Sequence, residues 1–223
     1  MQLVFKNNIK MKKALAIVAL VAAMFVAGKV QAQSHVYATY SPETFVSSFS
    51  NNGSSESTNF QGFSVGFMQN VDIFKGLGVA VGGQFRMNTR SESGTGILLN
   101  GTIKETQTII DVPIMLNYCI SVNKEFKIVP MAGVMPSIGL TGTTKTTTNV
   151  NGTTAGTTTT TDWYADGANK TNRFNLYAVV GLDLKYSNFN LFGGYRFGML
   201  DLASNDNVKM TTNGMFVGIG WTL

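Results

Sequence analysis

From residue 33 onward, apolar and polar positions alternate with a period of two over eight separated stretches. Side chains alternating in that way line opposite faces of a β-strand. The last stretch is the clearest: Met215, Val217, Ile219, Trp221 and Leu223 share one face, and Phe216, Gly218, Gly220 and Thr222 the other. His35 to Tyr40 sets Val36, Ala38 and Tyr40 against His35, Tyr37 and Thr39, and Phe60 to Val71 sets Phe63, Val65 and Phe67 against Gly62, Ser64 and Gly66. Leu77 to Asn88 is apolar at every odd position except Gly83. A fourth strand, running to Ile120, opposes Ile110, Val112, Ile114, Leu116 and Tyr118 to Asp111, Pro113, Met115, Asn117 and Cys119. Pro113 removes a ladder donor and predicts a local bulge or a missing bond. Glu125 to Leu140 forms a fifth strand whose facing Pro130 and Pro136 leave open. Arg173 to Tyr186 and Phe189 to Leu200 form the sixth and seventh.

The connections alternate in kind. Asp72 to Gly76, Ser121 to Lys124 and Ser187-Asn188 are short turns, whereas Ser41 to Asn59, Thr89 to Gly101, Thr141 to Asn172 and Asp201 to Val208 are longer polar loops. In Thr141 to Thr161, 13 of 21 residues are threonine. Threonine favours extended backbone, so this segment reads either as a hairpin prolonging its flanking strands or as a disordered polar tract. Short turns on one side and long loops on the other suit a transmembrane barrel with both chain ends on the turn side. An apolar-faced terminal strand finds its partner in the first strand, which closes the sheet and leaves no edge.

The two faces decide the solvent. Arg86, Asp111, Asp183, Lys185 and Arg196 all fall opposite the Val/Leu/Ile stripe, with Gln84, Asn117, Asn175, Asn190 and most strand glycines. A soluble barrel of lipocalin type would turn its apolar face inward. In a membrane, a charge facing lipid at mid-depth costs about 2–4 kcal/mol for Arg or Lys, so charge confined to one face places that face in the lumen. The expected fold is an all-β, eight-stranded, antiparallel up-and-down transmembrane β-barrel. The five charged residues are expected to form a structural polar network inside it.

The front of the chain differs. Lys10, Lys12 and Lys13 precede an apolar run from Ala14 to Gly28, followed by Val30-Gln31-Ala32. This reads as a secretory signal peptide, residues 1–32, cleaved after Ala32, with residues 33–223 as the barrel domain. A retained membrane anchor is the alternative, although the run is short for a spanning helix. Of 17 Lys and Arg, Lys6, Lys10, Lys12, Lys13 and Lys29 leave with the signal, and the 12 that remain balance 12 Asp and Glu. The basic balance therefore belongs to the leader, and nucleic-acid binding loses its support. Cys119 stands alone, which rules out an internal disulfide.

The ending resembles the C-terminal signal of Gram-negative outer-membrane barrels, with Gly218, Trp221 and Leu223 at its glycine, hydrophobic and final hydrophobic positions. Phe216 stands where a polar residue is usual, and Leu223 where an aromatic is commoner. Ile110-Asp111-Val112-Pro113-Ile114-Met115-Leu116 resembles the hydrophobic-Pro-hydrophobic strand of the small outer-membrane β-barrel family, OmpA/OmpX-like and often labelled porin family. Ala132-Gly133-Val134-Met135-Pro136 resembles its Gly-x-x-Pro segment. Tyr195-Arg196-Phe197-Gly198-Met199-Leu200-Asp201-Leu202 resembles its Tyr-x-aromatic-Gly-Leu strand. The resemblance implies a cell outer membrane location, with outer-membrane lipids and the barrel-insertion machinery, reading the C-terminal strand, as partners.

Eight strands leave an interior that side chains fill. The first expectation is therefore a non-enzymatic barrel, structural or presenting extracellular loops for adhesion or binding to an unidentified ligand. A narrow channel for ions or small solutes is the alternative. A lipid-modifying barrel enzyme needs His with Ser and an acid near the outer rim, but the one histidine, His35, lies on the turn side, away from the loop serines Ser41, Ser47, Ser48, Ser91 and Ser93. A site of several His, Cys or carboxylate ligands cannot come from one His and one Cys, so no metal, cofactor or catalytic residue is expected. Gly78 to Gly83 lacks the helix that a phosphate loop requires.

Overall fold

The computed structural model describes residues 32–50, 53–95, 99–150, 157–165, 167, 170–205 and 207–223. The leader lies outside these residues apart from Ala32. Twelve strand segments follow one another: β1 (Ala32–Tyr40), β2 (Glu43–Phe49), β3 (Ser55–Phe74), β4 (Leu77–Thr95), β5 (Leu99–Asp111), β6 (Ile114–Tyr118), β7 (Ile120–Ser121), β8 (Phe126–Val150), β9 (Thr157–Asp162), β10 (Phe174–Tyr186), β11 (Phe189–Gly198) and β12 (Val208–Thr222). They make eight crossings, because β1 with β2 forms the first and β5 with β6 and β7 the fourth, while β9 only prolongs the hairpin above β8. Every crossing pairs antiparallel with the next.

The last crossing pairs with the first, His35 opposite Thr222 and Tyr40 opposite Val217, so the sheet closes. Its stagger can be followed residue by residue. From Ala38 the pairing runs one way through Val65, Phe85 and Ile110 to Ile138 on β8. The other way it runs through Ile219, Leu191 and Leu184 to Ile128 on the same strand. The two arrivals differ by ten residues, which is the shear of this eight-stranded barrel and tilts its strands by about 40°. Every residue on that ring is apolar, and Val65, Phe85 and Ile219 are about half exposed. A continuous apolar girdle on the outside is the inverse of a soluble barrel. β11 spans ten residues, which at about 3.3 Å each and that tilt gives a height of about 25 Å, the thickness of a hydrocarbon band.

The break expected at Pro113 is present: β5 ends at Asp111 and β6 begins at Ile114. The interruption is stitched by the Val112 amide donating to Pro136 O (2.9 Å) and the Gly82 amide donating to Pro113 O (3.1 Å). On the turn side, Lys75 and Gly76 both have positive φ (37° and 88°), the twist that matches two strands joined by a two-residue loop.

The long side departs from the sequence expectation. Ser41 to Asn59 is mostly strand, β2 pairing β3 from Glu43–Phe60 to Ser48–Ser55. Of the expected loop from Thr89 to Gly101, residues 89–95 continue β4 and residues 99–101 begin β5, and β12 starts at Val208, seven residues before Met215. Outside a membrane both faces meet water, so polar side chains extend a ladder without leaving an apolar period. The threonine segment resolves to a hairpin, since β8 reaches Val150 and pairs β9 from Thr143–Asp162 to Thr148–Thr157. β8 runs on from Leu140, its last exposed large apolar residue, to Val150, so the ridge stands roughly 25 Å clear of the apolar band.

Candidate functional site

The lumen holds a cluster of four charges midway along the barrel. Arg86 projects inward from β4 and is fully buried, as are Asp111 at the end of β5 and Glu43 at the start of β2; Arg196 on β11 is 2 % exposed. Arg86 grips Asp111 with two donors, Nε to Oδ2 at 2.9 Å and Nη2 to Oδ1 at 3.1 Å. Its Nη1 donates to Glu43 Oε2. Arg196 Nη2 lies 3.8 Å from the same Glu43 oxygen and donates to Ser41 O at 3.2 Å. Two guanidinium groups and two carboxylates leave no net charge, which a dry interior demands.

Neutral groups complete the cluster. Gln84 and Ser137 donate to Asp111, Asn88 donates to Glu43, and Tyr177 donates to the other Glu43 oxygen. Tyr177 in turn accepts from Thr212, and Thr212 from Asn175, each at 2.9 Å. The two guanidinium carbons lie 5.6 Å and 5.8 Å from the Tyr177 ring centroid. Packed aromatic and cationic planes of this kind fill space while satisfying charge.

Asp183 and Lys185 lie elsewhere, toward the turn side. Lys185 Nζ is 3.9 Å from Asp183 Oδ2, and Asn190 donates to that oxygen at 3.0 Å. The structure therefore brings together Arg86, Asp111 and Arg196, but not Asp183 or Lys185. It adds Glu43 and Tyr177 to them. Glu43 was hidden because Ser41 to Asn59 reads as a loop; the available signal was charge balance, since Arg86, Arg196 and Lys185 face inward with only Asp111 and Asp183, one carboxylate short.

Above the cluster, the chain after β9 folds back into the barrel mouth. Trp163 meets Phe45 and Phe60 edge-on, with ring centroids 6.2 Å and 6.0 Å away, and its Nε1 donates to Thr144 Oγ1 at 2.7 Å. Leu202, from the connection between β11 and β12, is buried in the same cluster. Tyr164 is 4 % exposed. Its hydroxyl accepts from Gln107 at 2.9 Å, and Arg173 stacks 4.4 Å from its ring. Burial pushes the Tyr164 pKa up, against the lowering influence of Gln107 and Arg173. Two glycines of β8 make room: a Cβ at Gly139 would collide with the Tyr164 hydroxyl, and one at Gly142 would lie 2.8 Å from the Trp163 ring. Nothing in the sequence pattern marks this cap, since Trp163 and Tyr164 sit within the longest polar loop.

For hydrolytic chemistry the arrangement offers little. His35 faces the lumen near the turn end, buried, six residues before Ser41 and so roughly 20 Å away along the strand. Among the described residues no three His, Cys, Asp or Glu side chains converge as metal ligands.

No protein-family model matches the sequence, and no curated protein is similar to it. Among solved structures, the crystal structure of Ail, the attachment invasion locus protein of Yersinia pestis, is similar at 14% identity, covering 86% of this chain and 99% of that one with a TM-score of 0.39. Neisserial surface protein A follows at 13% identity, 84% and 97% coverage and a TM-score of 0.33. The outer membrane protease OmpT from Escherichia coli is similar at 7% identity, 86% and 96% coverage and a TM-score of 0.35. Similarity at that level carries no weight beside the chain's own register and faces. By those, the protein is an antiparallel up-and-down β-barrel of eight crossings.

Proposed function

We propose that the chain is an integral, non-enzymatic barrel of the cell outer membrane, held in lipid by its apolar girdle and presenting the β2–β3, β4–β5 and β8–β9 hairpins outside for adhesion or binding. The observation that carries this reading is the combination of a wholly apolar outer ring with a lumen blocked at mid-height. Arg86, Asp111, Glu43 and Asn88 are all fully buried, and Trp163 and Tyr164 cover them. The interior cavities near the cluster hold about 30 and 50 Å³, room for a few waters at most and not for a solute path. In this reading outer-membrane lipids solvate the girdle, and the C-terminal strand is what the insertion machinery reads. Single-channel recording on the barrel refolded into planar bilayers tests it. No stable conductance steps are expected; long-lived steps of uniform size would replace the reading with a narrow channel for ions or small solutes.

A further inference from the structure

The outer wall is notched at one place. Ala38 is the smallest residue on the apolar ring, and its partners across the ladder, Val65 and Ile219, are both larger. On the loop side of that ring Tyr40 is paired with Phe63, and Phe63 with Met87. Together with Phe85 these residues line an outward groove of about 570 Å³ in the half of the girdle nearer the loops. Thr39 and Ser64 also border it, but both are buried and hydrogen-bonded to each other on the lumen side. The groove is therefore apolar, and it opens into lipid.

What stands above the groove narrows the choice of lipid. Four residues beyond Met87 on the same face of β4, Ser91 is opposite Lys104 of β5, and Lys104 is opposite Lys145 of β8. Both lysines are exposed. Among the described residues, neither has a hydrogen bond or an ion pair. Like charges directly opposed on an antiparallel pair are destabilising, so this pairing is a cost that an anion between them would remove. Their neighbours on that face are hydroxyl groups: Ser91 and Thr160 flank them, and Thr106 and Thr143 form the row below. Asp162, opposite Thr143, is the carboxylate on this face, and it accepts from the Tyr164 amide at 2.8 Å. The height also matters. At about 3.3 Å per residue and a tilt of about 40°, the lysine row lies roughly 10 Å above Met87. A phospholipid headgroup layer reaches only about 5–7 Å beyond the hydrocarbon.

We infer that this wall is a binding site for a phosphorylated glycolipid of the outer leaflet, lipopolysaccharide, with one acyl chain in the groove at Ala38 and a sugar-borne phosphate between Lys104 and Lys145. The inference rests on the outer-membrane reading above. Two ammonium groups among hydroxyl donors suit a phosphate, and a sugar carries that phosphate to a height that a glycerol headgroup does not reach.

The test uses the mature barrel refolded in maltoside micelles, with folding checked by heat-modifiable gel mobility. Thermophoresis follows binding of fluorescent lipopolysaccharide with a phosphorylated core, of the same material stripped of phosphate, and of phosphatidylglycerol. A lysine beside an anionic lipid surface is worth roughly fivefold in affinity. Lys104→Gln with Lys145→Gln should therefore weaken binding of the native glycolipid by about 25-fold and leave the stripped form unchanged. Without glycolipid that double variant should unfold in urea no earlier than the unaltered barrel, because the repulsion is gone. Ala38→Leu, which fills the groove, should weaken both forms, whereas Val134→Leu, outward on the opposite wall, should weaken neither. Equal affinity for native and stripped glycolipid, equal affinity for phosphatidylglycerol, or binding unchanged in the lysine or Ala38 variants would overturn the site and leave the outer-membrane reading standing. A folded barrel that enters no bilayer would remove both.

Discussion

Replacing Arg86 with methionine is the sharpest probe of the lumen. The side chain is fully buried and donates to Asp111 twice and to Glu43 once. Hydrogen bonds to charged partners contribute about 1.5–3 kcal/mol each, but they are not the main loss. The substitution turns a balanced set of two cations and two anions into one cation and two anions, with both carboxylates still out of water. Breaking a buried pair in that way costs about 3–5 kcal/mol. Arg196, already 3.8 Å from Glu43, offsets part of this, so the lower end of the range is expected. Adding Asp111→Asn restores neutrality, and the double variant should be more stable than Arg86→Met alone, a coupling of about 1–3 kcal/mol. Val217→Ala is the control: its side chain faces lipid, which fills the space that a dry core would leave as a cavity, so less than about 1 kcal/mol is expected. Urea unfolding in micelles, followed by heat-modifiable mobility and tryptophan fluorescence, ranks the three. If Arg86→Met were no worse than Val217→Ala, or if the two neutralising changes simply added, the lumen would not be a dry, charge-balanced plug.

Signal cleavage after Ala32 should leave Gln33 as the first residue of the membrane-extracted protein; N-terminal sequencing that finds residues 14–28 retained would show an anchor instead. A peptide tag inserted between residues 150 and 157 should be reached by antibody on intact cells, while one at residues 121–124 should not, and the opposite pattern would invert the barrel. Gly142→Val should displace Trp163 from the mouth, since even a Cβ would lie 2.8 Å from its ring, at a cost of about 1–3 kcal/mol. The expected sign is a red shift of the Trp163 emission and earlier protease nicking near residue 165. An unchanged emission would mean that the ring does not sit in the mouth.

How much of this was legible in the sequence depends on where the two faces of a strand meet different surroundings. Along the girdle one face meets lipid and the other a crowded lumen, and that contrast writes the period of two from which crossings, turns and closure follow. Beyond the girdle neither face of β2, the outer half of β8 or the first residues of β12 meets lipid, and of β2 only Glu43 and Phe45 are buried, so Ser, Thr and Asn serve on either side and the pattern fades. That is why Ser41 to Asn59 looks like a loop and why Glu43 escaped notice. Pro113 was legible because its chemistry is local: a missing amide must interrupt a ladder wherever it falls. Partners such as Arg86 with Asp111 need the register between strands, which depends on a stagger summed around the whole barrel and is not written in any one of them. The Trp163–Tyr164 cap needs still more, the return of a loop across the mouth.

The inward glycines connect these features. In an eight-stranded barrel with a shear of ten, the opposite walls are close enough that large side chains from both cannot meet unless some positions are empty. The structure meets this by setting bulk against absence: a Cβ at Gly66 would lie 2.8 Å from the Tyr37 ring, one at Gly218 2.7 Å from the Phe192 ring, and one at Gly194 2.7 Å from the Phe216 ring. The same device seats Trp163 over Gly142. Glycine weakens a strand by removing packing and adding freedom to the unfolded chain. That loss is tolerable here because closure leaves every barrel strand with two neighbours, and because several of the vacant positions are filled by a ring or guanidinium group from elsewhere. Plugging the lumen and holding the charge cluster therefore share one packing device: a Cβ at Gly214 would lie 3.1 Å from the Arg196 Nε, so the absence of a side chain there leaves room for a guanidinium of the cluster just as Gly66, Gly194 and Gly218 leave room for aromatic rings.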